Sequence, residues 1–223
     1  LYLLSPTIWL AHTLNVTNPL VLNFLFKLPL FVADIILFMT LLKFFPLKEK
    51  QIFYFYLLNP IVIYAIYIHS QLDIIAMMFL MTGVYFLTIE RLKLSAMLIG
   101  FALATKLHIL IGLPLLVFYL LKKHRFSEAI AYFLAVLGIL ILLDFPYLFS
   151  DGFIYMVLMN QKQSLLFDSY YQIGTLKLLL PITSIIMVYV HFFNQKKVNQ
   201  DLLFFYFGIL FTVTIFFIYP APA

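Results

Sequence analysis

Residues 94–121 read LSAMLIGFALATKLHILIGLPLLVFYLL, an apolar run interrupted once, at Thr105-Lys106-Leu107-His108. As one helix, about 28 residues at ~1.5 Å each would reach ~42 Å, long for a ~30 Å hydrocarbon core. One helix would also carry Lys122, Lys123 and Arg125 to the opposite side from Arg91 and Lys93. Breaking the run at Lys106 predicts two short limbs, 94–105 and 109–121, that leave and return on the same side. Each limb is too short for a full crossing, so the bilayer must thin there or the turn must be buried in protein.

Outward from this hairpin the chain repeats apolar stretches of near-membrane length. Full spans are expected at 21–43, 51–68, 74–89, 128–148, 175–193 and 202–219. Residues 1–14 are too short to span and fit an interfacial helix or the end of a loop. Asn15 to Pro19 breaks the chain before the first span. The expectation is an all-α, polytopic transmembrane bundle of about six full spans plus one short helical hairpin. It forms a single transmembrane domain over residues 1–223. The chain opens without Met and shows no basic region before its first apolar stretch, so it reads as the interior of a longer protein, truncated at both ends.

Composition agrees. Hydrophobic residues make up 65% and charged residues 10%, whereas a soluble domain carries about 25% charged residues. Mean hydropathy is +1.08. These values exclude an ordinary soluble enzyme, a disordered chain and a nucleic-acid-binding module, so the net charge of +5 implies no nucleic-acid partner. There is no Cys, hence no disulfide or thiolate metal site. The five His are not spaced for a metal, and neither a phosphate-binding Gly-rich loop nor a Gly-x-Ser-x-Gly elbow is present. No cofactor is called for.

Charge placement sets an orientation. Lys43, Lys48, Lys50, Arg91, Lys93, Lys122, Lys123, Arg125, Lys196 and Lys197 fall on one side of this layout, ten of the fourteen basic residues. That side is cytoplasmic by the positive-inside bias. The others are Lys27, Lys106, Lys162 and Lys177. The expected location is an integral, multi-pass position in a bacterial plasma membrane or the endoplasmic reticulum membrane. No internal repeat is visible, which counts against a transporter built from inverted repeats.

Few residues in this chain can carry chemistry. Asp34 and Lys27 share a helix face but stand ~10 Å apart along the axis, so a direct pair needs a third group between them or a distortion at Pro29. Intramembrane ionisable groups are costly and usually face a cavity or a partner helix. Asp34 fits a structural pairing and a functional role equally, while Lys27 can extend to the outer interface. His69, Gln71 and Asp73 cluster at the outer end of the second and third spans. Asp73 suits a helix start. Alternatively, the three face an outside-accessible cavity, where His relays protons and Gln bonds a sugar hydroxyl or phosphate oxygen. Lys106 and His108 at the hairpin tip call for an anion: a lipid-linked phosphate, or else Asp34 or Asp73. A buried carboxylate partner would be stranded by loss of Lys106. Residues 149–174, with Asp151, Lys162, Gln163, Asp168, Tyr170, Tyr171 and Gln172, have the composition of a carbohydrate-binding loop, though Tyr is equally an interface anchor.

The order of these features resembles the polytopic GT-C glycosyltransferases. The resemblance rests on Lys27-Leu28-Pro29 with Ala33-Asp34, then Asn59-Pro60, then His69-Ser70-Gln71-Leu72-Asp73. Ala104-Thr105-Lys106-Leu107-His108 with Pro114, and a basic turn, follow. It covers about residues 20–125 and is nearest to the branch of dolichyl-phosphate-sugar-dependent glucosyltransferases and mannosyltransferases, with related bacterial enzymes. It implies a polyprenyl-phosphate-linked sugar as donor, a glycan, lipid or protein as acceptor, and transfer on the non-cytoplasmic face of the bilayer. It also implies a catalytic carboxylate in an outer loop upstream of Leu1, so no residue here is assigned as the base. Lys106, His108, His69, Gln71, Asp73 and Asp34 are the expected substrate-binding residues. The rival readings are a transporter or flippase of lipid-linked sugars and a non-catalytic membrane assembly subunit.

Overall fold

The structure is a computed structural model, and it describes residues 5–159 and 169–218. Among the described residues, apart from one two-stranded ribbon, the regular elements are helical. The chain divides into two compact units at Lys106–Leu107.

The first unit begins with α1 (Ser5–Thr13), which packs on the long α2 (Pro19–Phe44). The Asn18 side chain accepts the Leu20 N–H at 2.9 Å and Pro19 occupies the first turn, so α2 starts where its first N–H groups need a partner. With 26 residues, α2 is about 39 Å long and runs unbroken through Pro29. A bent pair follows, α3 (Pro46–Leu57) and α4 (Pro60–Ile68), inclined by 53°. Asn59 makes the corner. Its Oδ1 accepts from Ile61 N at 2.9 Å and its Nδ2 donates to the Phe55 carbonyl at 3.1 Å. Backbone groups freed at the break thus regain partners without water, as an apolar surrounding demands. Each half ends in a wide turn, with Leu58 N bonded to Phe53 O and His69 N to Tyr64 O.

The centre of the unit is α5 (Asp73–Thr88), packed against α2 and, most extensively, α6 (Leu92–Thr105). Small residues allow that closeness. Ser95 Oγ donates to the Gly83 carbonyl at 2.7 Å, and a Cβ on Gly83 would lie 2.8 Å from Ile99 Cδ1. Glu90 closes α5 at φ +64°, with Arg91 N returning to Phe86 O at 2.9 Å, a Schellman-type end.

In the second unit a 3₁₀ run, Leu107–Gly112, leads into α7 (Leu113–Lys122), followed by α8 (Phe126–Asp144) and the short α9 (151–158). The ribbon pairs β1 (Tyr170–Ile173) antiparallel with β2 (Leu176–Leu179) around Gly174 at φ +61°. Then come α10 (Leu180–Phe193) and α11 (Gln200–Ile218), which pack on each other and on α7. Gly112 faces Phe207, whose Cε1 would be 2.6 Å from an added Cβ.

Among the described residues, α2, α8 and α11 are each long and apolar enough to cross a membrane, and the bent pair α3–α4 makes a fourth if it is one span. The outward surfaces of these helices are apolar, with Phe24, Leu142 and Phe216 each about 70% exposed, which indicates a lipid bilayer environment. These match the full spans expected at 21–43, 128–148, 202–219 and, in the bent pair, 51–68; the other two expected spans form shorter apolar helices. The 74–89 stretch forms a 16-residue helix, about 24 Å long. The 175–193 stretch spends its first residues in β2 and leaves only 14 for α10.

Candidate functional site

Asp34 is 3% exposed on α2. Its Oδ1 accepts the Tyr56 hydroxyl at 2.6 Å and its Oδ2 the Tyr67 hydroxyl at 2.5 Å. The tyrosines come from the wide turns that end α3 and α4. Phe38 stacks on Tyr56 and Phe31 meets Tyr67 edge-on, each at 6.3 Å between centroids. Two hydroxyl donors therefore hold a buried carboxylate that water does not reach.

Lys27 turns inward. Its Nζ donates to the Tyr67 carbonyl at 2.7 Å, rather than extending to the interface as its position near one end of the span had implied. That carbonyl belongs to the last turn of α4, where acceptors lose helical partners and the helix dipole is negative. Tyr67 is thus the third group that the seven-residue spacing of Lys27 and Asp34 required. Its backbone holds one and its hydroxyl the other.

At the start of α5, Asp73 lies 2.6 Å from Lys106 Nζ, with the side chains 54% and 39% exposed. Lys106 ends α6 in extended geometry, φ −147° and ψ 101°. The partner of Lys106 is therefore a half-exposed carboxylate, so the cost of stranding a buried one does not arise. His69 stacks on Tyr64 at 6.3 Å, and Gln71 is exposed. Because α2, the bent pair, α5 and α6 alternate in direction, Lys27, His69, Gln71, Asp73 and Lys106 share one end of the unit. Asp34 lies ~10 Å deeper than Lys27 along α2. Lys43, Lys48 and the Glu90–Lys93 turn occupy the other end.

His108 lies exposed in the 3₁₀ run that opens the second unit. Of the 149–174 stretch, Lys162, Gln163 and Asp168 lie outside the described residues. Tyr170, Tyr171 and Gln172 stand on β1, where Lys177 Nζ sits 4.7 Å over the Tyr170 ring. Asp151 opens α9. Two further polar clusters escaped the sequence reading. Tyr189 donates to the Ile111 carbonyl at 2.5 Å, beside Pro114, which offers no N–H. Tyr206 bonds His191 Nδ1 and accepts from Gln195 Nε2 at 3.0 Å. No group of three or more potential metal ligands occurs among the described residues.

Set against family models, curated proteins and solved structures, the chain matches nothing in any of the three.

Proposed function

We propose that the chain is the membrane-embedded part of a multi-pass glycosyltransferase. It takes a sugar from a polyprenyl-phosphate-linked donor and passes it to an acceptor on the non-cytoplasmic side. In this orientation the basic turns face the cytoplasm, and the end carrying Lys27, His69, Gln71, Asp73 and Lys106 faces outward. The observation that carries the reading is the Lys106–Asp73 pair, 2.6 Å apart with both side chains accessible. A pair this exposed contributes only ~0–1 kcal/mol, so the lysine can turn to an arriving phosphate at little cost. The donor is a phosphodiester with a single negative charge, and departure of the sugar leaves a second charge on the polyprenyl phosphate. A lysine at this position favours the charge that develops over the charge already present, which is how a fixed cation lowers a barrier. Asp73, His69 and Gln71 then offer bonding groups to sugar hydroxyls. The base remains the upstream carboxylate implied by the GT-C resemblance.

The test uses the full-length protein in nanodiscs with a polyprenyl-phosphate hexose and an acceptor. Sugar transfer is expected. Lys106→Met should reduce donor affinity or turnover roughly 10- to 100-fold, matching loss of a charge-assisted contact of about 1.5–3 kcal/mol. Movement of the lipid-linked sugar across the bilayer with its sugar still attached would replace this reading with the flippase.

A further inference from the structure

The basic end of the second unit contains a depression of about 680 Å³ lined by Lys122, Gln195, Lys196, Lys197, Asn199 and Leu202, with Val198 between them. We infer that it receives the phosphate-bearing headgroup of an anionic lipid from the leaflet that the basic turns face. Three lysines share one depression whose lining includes no carboxylate. Asp201, the nearest acid in sequence, stands in the first turn of α11 outside that lining. Among the described residues neither Lys196 nor Lys197 makes an ion pair. Like charges gathered in this way repel, and an anion relieves the repulsion.

The depression is also shaped by fixed groups. Lys122 Nζ is held 4.7 Å over the Phe193 ring, and Gln195 is held by Tyr206 at 3.0 Å. Asn199 Oδ1 accepts from Leu202 N at 2.8 Å, which places the start of α11, the positive end of its dipole, at the wall.

The apolar approach distinguishes a lipid from a free phosphate. Ile186, Val190 and Phe193 are exposed on α10 at spacings of four and three residues, one continuous face. This stripe ends at the ring beneath Lys122. Acyl chains lying on the stripe would bring their phosphate to the lysines, the arrangement expected of basic pockets at the cytoplasmic ends of membrane helices. The inference does not depend on the transferase reading.

The test is lipid retention by the full-length protein, measured by native mass spectrometry after reconstitution with mixed phosphatidylcholine and phosphatidylglycerol. The protein should retain phosphatidylglycerol selectively. Lys122→Gln/Lys196→Gln/Lys197→Gln should lower that retention roughly tenfold or more, since each surface lysine contributes about a few-fold in affinity for anionic lipid. Phosphatidylcholine retention and thermal stability should be unchanged. Lys196→Arg/Lys197→Arg should retain the lipid, which separates lost charge from lost fold. Lys43→Gln/Lys48→Gln, removing charge from the other unit at the same expected membrane side, should have little effect. An equal loss in that control would overturn the site in favour of general surface charge. So would displacement of the lipid by millimolar inorganic phosphate, which would mark a free-anion site.

Discussion

Asp34 has two acceptor oxygens, and each meets one phenol. Removing either hydroxyl leaves a buried oxygen without its donor, which costs about 1–3 kcal/mol. Hydrogen bonds between membrane helices average nearer ~0.6 kcal/mol; Asp34 is buried with both oxygens engaged, which places this network toward the upper range. Tyr67→Phe and Tyr56→Phe should therefore each lower stability by about 1–3 kcal/mol, read from thermal unfolding in detergent. Asp34→Leu combined with both Phe changes should recover much of the loss, because removing all partners of a buried polar group costs less than removing one. A triple variant as unstable as the sum of its parts would show that the network does not act as a unit. Lys106 behaves differently. Its partner Asp73 is half exposed, so Lys106→Met should change stability by less than ~1 kcal/mol, whatever it does to donor binding. That Asp34 needs donors was legible from its depth in an apolar span. Which of the 15 Tyr supply them was not, because aromatic residues recur in every span and only the wide turns of α3 and α4 aim these two.

Helix contacts in the first unit depend on two kinds of device. One is the controlled break. Asn59 serves both sides of the 53° bend, and Lys106 ends α6 where the apolar run is interrupted. Both breaks were visible in the sequence as polar residues within apolar runs. The bend angle and the widened turns were not. The other device is close approach. A Cβ on Gly83 would fall 2.8 Å from Cδ1 and 2.9 Å from Cγ1 of Ile99. Gly83→Ala should cost about 1–3 kcal/mol by overpacking, and Ile99→Ala in the same chain should restore part of it by clearing the space. Additive losses in the double variant would exclude the clash as the cause. The ribbon at 170–179 escaped the sequence reading for a related reason. Its second strand is an apolar run continuous with α10, and a short apolar run does not distinguish strand from helix.

At the scale of the whole molecule, hydropathy identified the environment better than the number of crossings. The 74–89 stretch is apolar and forms a helix of its full length, 16 residues, about 24 Å against a ~30 Å core. Nine of its residues are buried, so much of its hydrophobicity faces protein rather than lipid. The charge pattern is sturdier, because it depends on the ends of elements rather than their lengths. In the first unit Gln71 sits in the turn before α5, and Lys93 sits just after the turn that closes α5. Direction reverses between α5 and α6, as the Asp73–Lys106 and Gly83–Ser95 contacts require. These positions therefore occupy opposite ends of the helix pair. The chain has no Cys, so Gln71→Cys, Lys93→Cys and Lys196→Cys each introduce a single thiol at an exposed position. In intact cells a membrane-impermeant maleimide should label Gln71→Cys alone. After permeabilisation it should label all three, since the proposed orientation puts the basic turns that carry Lys93 and Lys196 in the cytoplasm. Labelling of Gln71→Cys and Lys93→Cys from the same side would rule out this orientation and, with it, an outward-facing phosphate site at Lys106.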